Sequence, residues 1–85
     1  MAEELIGAIT HYFGKPEVGV VKLSAQIKVG DVLHFRGHTT DFQQEIKSMQ
    51  VEHAAVESAS AGTEVAMKLS ERVRSGDQVF RVTPD

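Results

Sequence analysis

Apolar residues in this chain fall in short runs of period two, interrupted by glycine turns, and that pattern predicts strands. Leu5 to Phe13 alternates imperfectly, with Ile6, Ala8, Thr10 and Tyr12 on one face. Leu5, Gly7, Ile9, His11 and Phe13 make the other. The segment GKPEVG then breaks the chain, because Pro16 between two glycines suits a turn. Val18 to Leu23 is rich in β-branched residues, and Val21, Leu23, Ala25 and Ile27 can line one inward face. Gly30-Asp31 predicts a turn before a strand holding Leu33 and Phe35, and the chain turns again at Arg36-Gly37-His38. RSGDQVFRV repeats the device at Gly76-Asp77, and SAGTEVAMKL is a looser copy at Gly62-Thr63. Such echoes are what repeated hairpin or corner geometry leaves in an all-β chain.

Thr40 to Ala61 is ambiguous. Ile46, Met49 and Val56 have partly helical spacing, and the alanines at 54, 55, 59 and 61 favour a helix. Thr40 with Gln43 imitates a capping box. Phe42, Gln44, Ile46 and Ser48 equally fit a strand face, with Met49 and Val51 brought into phase by a one-residue bulge. Periodicity leaves both readings open.

Composition narrows the function classes. Eighty-five residues suit one domain, spanning 1–85. Nine basic and twelve acidic residues give a net charge of −3, spread without a basic block that would grip a polyanion. The absence of cysteine excludes disulfides, thiolate zinc sites and thiol nucleophiles. The opening residues lack the basic start and apolar run of a signal peptide, and no run is long enough to span a bilayer, so a cytoplasmic location is expected.

The run AQIKVGDVLHFRGHTTDFQQEIKSMQVEH, followed by VESASAGTEVAMKL and ERVRSGDQVF, resembles domain two of the translational GTPases, as in elongation factor Tu and initiation factor two. Small stand-alone proteins described as translation elongation factor-like are more similar still. A related barrel is also appended to some collagenase-like peptidases, without being their catalytic part. The resemblance runs from about Leu5 to Val82 and rests on the order of the turns, Ile27-Lys28-Val29-Gly30-Asp31 first and Gly76-Asp77 last. It implies an all-β fold, a small closed or nearly closed antiparallel barrel of about six to seven strands. In that fold Phe42 to Val51 is one long bent strand, and the stretch after His53 is a connection with at most a short helical turn. The expected core is Ile6, Ala8, Val21, Leu23, Ile27, Leu33, Phe35, Phe42, Ile46, Val51, Val65, Met67, Leu69, Val79 and Val82. No phosphate loop is present, since GKPEVG has glycine and lysine in the wrong order, so the chain is expected to bind no GTP.

Candidate chemistry is sparse. His34 and His38 are four apart, but Gly37 and the turn deny them the register of a zinc helix; His11, His53 and Asp41 would join them only by folding. Ordinary hydrogen-bonded histidines are the preferred account, with no metal or cofactor. None of Ser24, Ser48, Ser58, Ser60, Ser70 and Ser75 lies in a nucleophile elbow, and Glu3-Glu4 point to opposite faces of a strand. No catalytic residue is expected. Two patches are candidates for partner binding: His11, Tyr12, Phe13 and Lys15, where exposed aromatics sit beside a charge, and Arg36, His38, Thr39, Thr40 and Asp41 in the GHTTDF turn. Gly37 is expected to supply an unusual dihedral there, while Gly30, Asp31, Gly62, Gly76 and Asp77 build turns. The expectation is a non-enzymatic binding module with a ribosomal, RNA or translation-associated partner. The alternative is a protein-only adaptor or homo-oligomeric module.

Overall fold

The computed structural model describes residues 2–83. Strand forms wherever alternation and β-branched residues coincide, giving β1 (Ala2–Phe13), β2 (Val18–Leu23), β3 (Ile27–Lys28), β4 (Val32–Arg36) and β5 (Asp41–Glu45). The second half holds β6 (Met49–Val51), β7 (Ala54–Val56), β8 (Ser58–Ala59), β9 (Glu64–Lys68) and β10 (Gln78–Thr83). Eight of them make one antiparallel sheet in the order β5-β4-β10-β1-β2-β9-β6-β7, and β3 pairs with β8 apart from it.

The all-β antiparallel expectation holds, but the closed or nearly closed barrel of about six to seven strands is corrected. The terminal strands β5 and β7 do not pair, so hydrogen bonding does not close the sheet. The gap is bridged by a side chain instead. Gln44 on β5 donates from Nε2 to the Lys68 carbonyl at 2.7 Å and accepts from the Ser70 N–H at 2.8 Å. Its amide thus serves as a peptide group where no strand lies alongside.

Phe42 to Val51 is not one strand. β5 pairs with β4, whereas β6 pairs with β7 and β9. The chain changes partners at Ile46, whose backbone is taken by the Gly30-Asp31 turn: Gly30 N–H donates to Ile46 O and Ile46 N–H to Asp31 O, both at 2.9 Å. After His53 there are two short strands rather than a helical turn. Glu52 and His53 both have positive φ, 51° and 67°, so they form the two-residue loop that reverses Val51 onto Ala54.

The three glycine turns read from the sequence share one geometry. Asp31, Thr63 and Asp77 donate their N–H groups to Lys28, Ser60 and Arg74 carbonyls, and Gly30, Gly62 and Gly76 have φ of +100°, +90° and +95°. A positive φ at the third turn position defines a type II turn and favours glycine. Each glycine also donates to the carbonyl of a distant buried residue, whose own N–H returns the bond to the next turn residue. The residues so clamped are Ile46, Leu23 and Ile9 respectively.

The core comprises Ile6, Ile9, Val21, Leu23, Ile27, Leu33, Phe35, Phe42, Ile46, Met49, Ala59, Val65, Met67, Leu69, Val73 and Val79, with Phe35 stacked on Phe42 at 4.8 Å. Of the expected core, Ala8, Val51 and Val82 are only half-buried. Val82 shares no parity with Val79 and so faces outward. The alternation of β1 is corrected for a different reason. Its register shifts between Leu5 and Gly7 against β10, and between Ile9 and His11 against β2. These bulges bring Ile6, Ile9 and Tyr12, three apart, against the core, and leave Leu5, His11 and Phe13 exposed.

Candidate polypeptide-binding cleft

The second bulge of β1 builds the candidate site. Beyond it His11 and Phe13 point to solvent, with ring centroids 4.7 Å apart and planes tilted by 38°. Phe13 is 47% exposed. Tyr12, between them, packs against the core. Beside this strand runs the β9–β10 connection. Val73 is buried, and the residues on either side of it, Arg72 and Arg74, are exposed. Val73 therefore anchors the loop while its two neighbours present guanidinium groups. Thr10, His11 and Tyr12 on one side, with Arg72 to Ser75 on the other, line an open cleft. Ser75 Oγ donates to the Thr10 carbonyl at 3.2 Å across it.

Asp77 fixes the arginine side. Its Oδ2 accepts from the Arg74 N–H at 2.9 Å and from the Thr40 hydroxyl at 2.5 Å, and both Asp77 and Thr40 are buried. Gly37 stands here for a reason other than the expected dihedral, since its φ is not positive. A Cβ built on it would lie 2.0 Å from Asp77 Oδ1, so only glycine lets the β4–β5 hairpin approach the carboxylate.

The two sequence-predicted patches therefore meet unequally. His11 and Tyr12 line the cleft and Phe13 flanks it through His11, while Lys15 lies in the adjoining β1–β2 loop. Thr40 acts from behind, by holding Asp77. His38 and Thr39 are exposed in the β4–β5 loop. Arg36 lies 3.9 Å from Glu3 and over the Phe80 ring at 5.5 Å, and Asp41 is engaged by His34. Sequence reasoning missed Arg72 and Arg74. The signal available was their alternation about Val73 just before the Ser-Gly-Asp turn.

His34 is the best-connected histidine. Its Nδ1 meets Glu3 Oε2 and its Nε2 meets Asp41 Oδ1, both at 2.6 Å. The hydrogen bond to Asp41 raises its pKa most; partial burial opposes this, and Glu3 raises it further. Carboxylates at both ring nitrogens favour the protonated imidazole, whose two N–H groups donate to them. The two carboxylates also lie at opposite nitrogens of the ring. Among the described residues no group of three His, Asp or Glu side chains is placed to hold a metal ion. Among the same residues no helix is long and apolar enough to cross a membrane.

Comparison with known proteins places these features in context. No protein-family model matches the sequence. Over 76 residues the chain is 38% identical to a Methanocaldococcus jannaschii protein named as an uncharacterized protease, a match that takes in 88% of this chain and 19% of that protein. The chain thus spans about a fifth of the length of the curated relative it matches. Its fold is that of the C-terminal domain of a Geobacillus thermoleovorans protein carrying the U32 peptidase name, with a TM-score of 0.88 at 18% identity, covering 94% of this chain and 93% of that one. The selenomethionine variant of the same domain gives 0.85 at 19% identity, covering 89% and 96%.

These findings overturn the likeness to translation proteins and the RNA-linked function it implied. The residues that carried the likeness are the glycine turns, and their physical role explains the error. A type II turn clamped to a strand is a backbone solution that small antiparallel folds share, so it reports geometry and not partner. The relatives found are peptidase-associated.

Proposed function

We propose that this chain is a non-catalytic polypeptide-binding domain that serves a peptidase of the U32 kind. The observation carrying the reading is the extent of the sequence match. A stretch 38% identical to this chain makes up 19% of a protein named as a protease, which suits an appended domain alongside a larger body. The chemistry of the chain agrees. The one histidine among the described residues that is held by acids has both ring nitrogens engaged by carboxylates, whereas the cleft offers aromatic, hydroxyl and cationic groups. Such a domain would retain an extended substrate segment near a catalytic unit and raise its local concentration there.

The purified chain, incubated with fluorescein-labelled casein, tests this. Retention of casein without release of acid-soluble fragments is the expected outcome. Cleavage that follows the protein through successive purification steps would overturn the non-catalytic assignment, and failure to retain casein would overturn polypeptide binding.

A further inference from the structure

Pairing of β1 with β10 ends at Ala8↔Gln78, while pairing with β2 continues to Phe13↔Val18. Past the clamp at Ile9, β1 from Thr10 to Phe13 therefore has a strand neighbour on one side only. The other edge faces the Arg72–Ser75 loop across the cleft, where the Ser75 hydroxyl on the Thr10 carbonyl at 3.2 Å is the contact an added strand would replace. An open strand edge is a template for another extended chain.

The charge across this cleft is one-sided, the carboxylate nearest the edge being Glu64, which Thr10 Oγ1 meets at 3.4 Å. The chain has twelve acidic residues against nine basic ones, yet none of the seven residues lining the cleft is acidic, and two are arginines. Neither Arg72 nor Arg74 has an ion-pair partner among the described residues. Guanidinium groups match carboxylates in geometry as well as charge. Phe13 and His11 add an aromatic platform at the outer end of the same strand.

We infer that this cleft binds an extended acidic polypeptide segment, which adds as a strand along the Thr10–Phe13 edge of β1 and pairs its carboxylates with Arg72 and Arg74. This rests on the polypeptide-binding reading and specifies its face and chemistry. Alternate residues of the added strand would face the arginines, so a period-two acidic pattern fits best.

Fluorescence anisotropy with labelled octapeptides tests the inference. One peptide alternates glutamate and valine, a second alternates lysine and valine, and a third carries proline at alternate positions of the acidic peptide. The acidic peptide is expected to bind at least about tenfold more tightly than either of the others, a difference of about 1.4 kcal/mol. Its affinity should fall with added salt. The double variant Arg72→Ala, Arg74→Ala should lose at least about tenfold on the acidic peptide. Both side chains are exposed, and an unchanged circular dichroism spectrum confirms that the fold is intact.

Equal binding of acidic and basic peptides, or an unaffected double variant, would overturn the inference. A parallel arm with reduced, carboxymethylated α-lactalbumin separates the two levels. If that chain binds the protein and its double variant equally, the cleft assignment fails and the broader reading stands. If neither it nor any peptide binds, both fail.

Discussion

The turns at Lys28–Asp31 and Arg74–Asp77 are nearly the same object. Each has a glycine near φ +100°, a backbone bond from the aspartate to the first turn residue, and an aspartate Oδ2 that accepts the N–H of that first residue, at 3.0 and 2.9 Å. What surrounds them differs. Asp31 faces Arg81, which lies 3.5 Å away and also holds Glu4 at 2.6 Å and the Gln26 carbonyl, so this turn is tied into a partly exposed ionic network. Asp77 faces inward to Thr40 and to the gap left by Gly37, and its turn displays Arg74 and Ser75 at the cleft. The repeated turn is scaffold, and its flanking residues decide what it presents at the surface.

Substitutions that close or empty the space around Asp77 should break this contrast most severely. Gly37→Ala forces a methyl into the Asp77 carboxylate and should cost about 3 kcal/mol, lowering the thermal midpoint by roughly 12 °C or more. Asp77→Ala should cost about 2 kcal/mol, because a buried hydroxyl and the Arg74 amide both lose a charged acceptor. Asp31→Ala, in the same turn geometry, should cost about 1 kcal/mol, since its pairing with Arg81 is partly solvated. Thermal or urea unfolding of the three variants checks this order. Equal losses at Asp31 and Asp77 would remove the distinction between the two turns. Asp77→Ala should also weaken acidic-peptide binding although it touches no ligand, and Asp31→Ala should not.

A smaller effect is expected from pH. His34 ties β4 to Glu3 of β1 and Asp41 of β5, and its folded pKa is raised. The stability it contributes is fully present below the unfolded value of about 6.5 and is lost as pH rises through the higher folded value. Asp41 is largely exposed, which keeps the effect below about 1 kcal/mol. Unfolding curves at pH 5.5 and 8.5 should therefore differ for the parent chain and converge for His34→Gln, after allowance for the remaining titrating groups. A His34→Gln profile parallel to the parent would show that the staple is not the source.

Much of the fold is legible in the sequence where local chemistry decides it. The three turns were readable because a type II turn needs glycine at one position and gains from aspartate or threonine at the next. Leu33, Phe35, Val65 and Met67 were readable as core because uninterrupted alternation fixes their face. β1 was misread at Ile9 because a bulge is set by what the neighbouring strands demand, and it leaves no residue signature within AITHYF. The break at Ile46 was hidden for the same reason, since its cause is a turn sixteen residues earlier. Of the cleft, His11, Tyr12 and Phe13 were visible as an aromatic patch. Arg72 and Arg74 were not, because their partner strand lies some sixty residues away and their alternation about Val73 does not point to it. The glycine turns also misled, since they describe a backbone device and carry no information about a partner.

The central claim is that polypeptide binding belongs to the Asp77 turn and not to its twin. A titration of the isotopically labelled chain with the glutamate–valine octapeptide, followed through backbone amide resonances, tests it directly. The expected result is saturable shifts at Thr10 to Phe13 and at Arg72 to Ser75, with Lys28 to Asp31 unmoved. Shifts centred on Lys28 to Asp31, or no saturable shifts at either turn, would contradict the account.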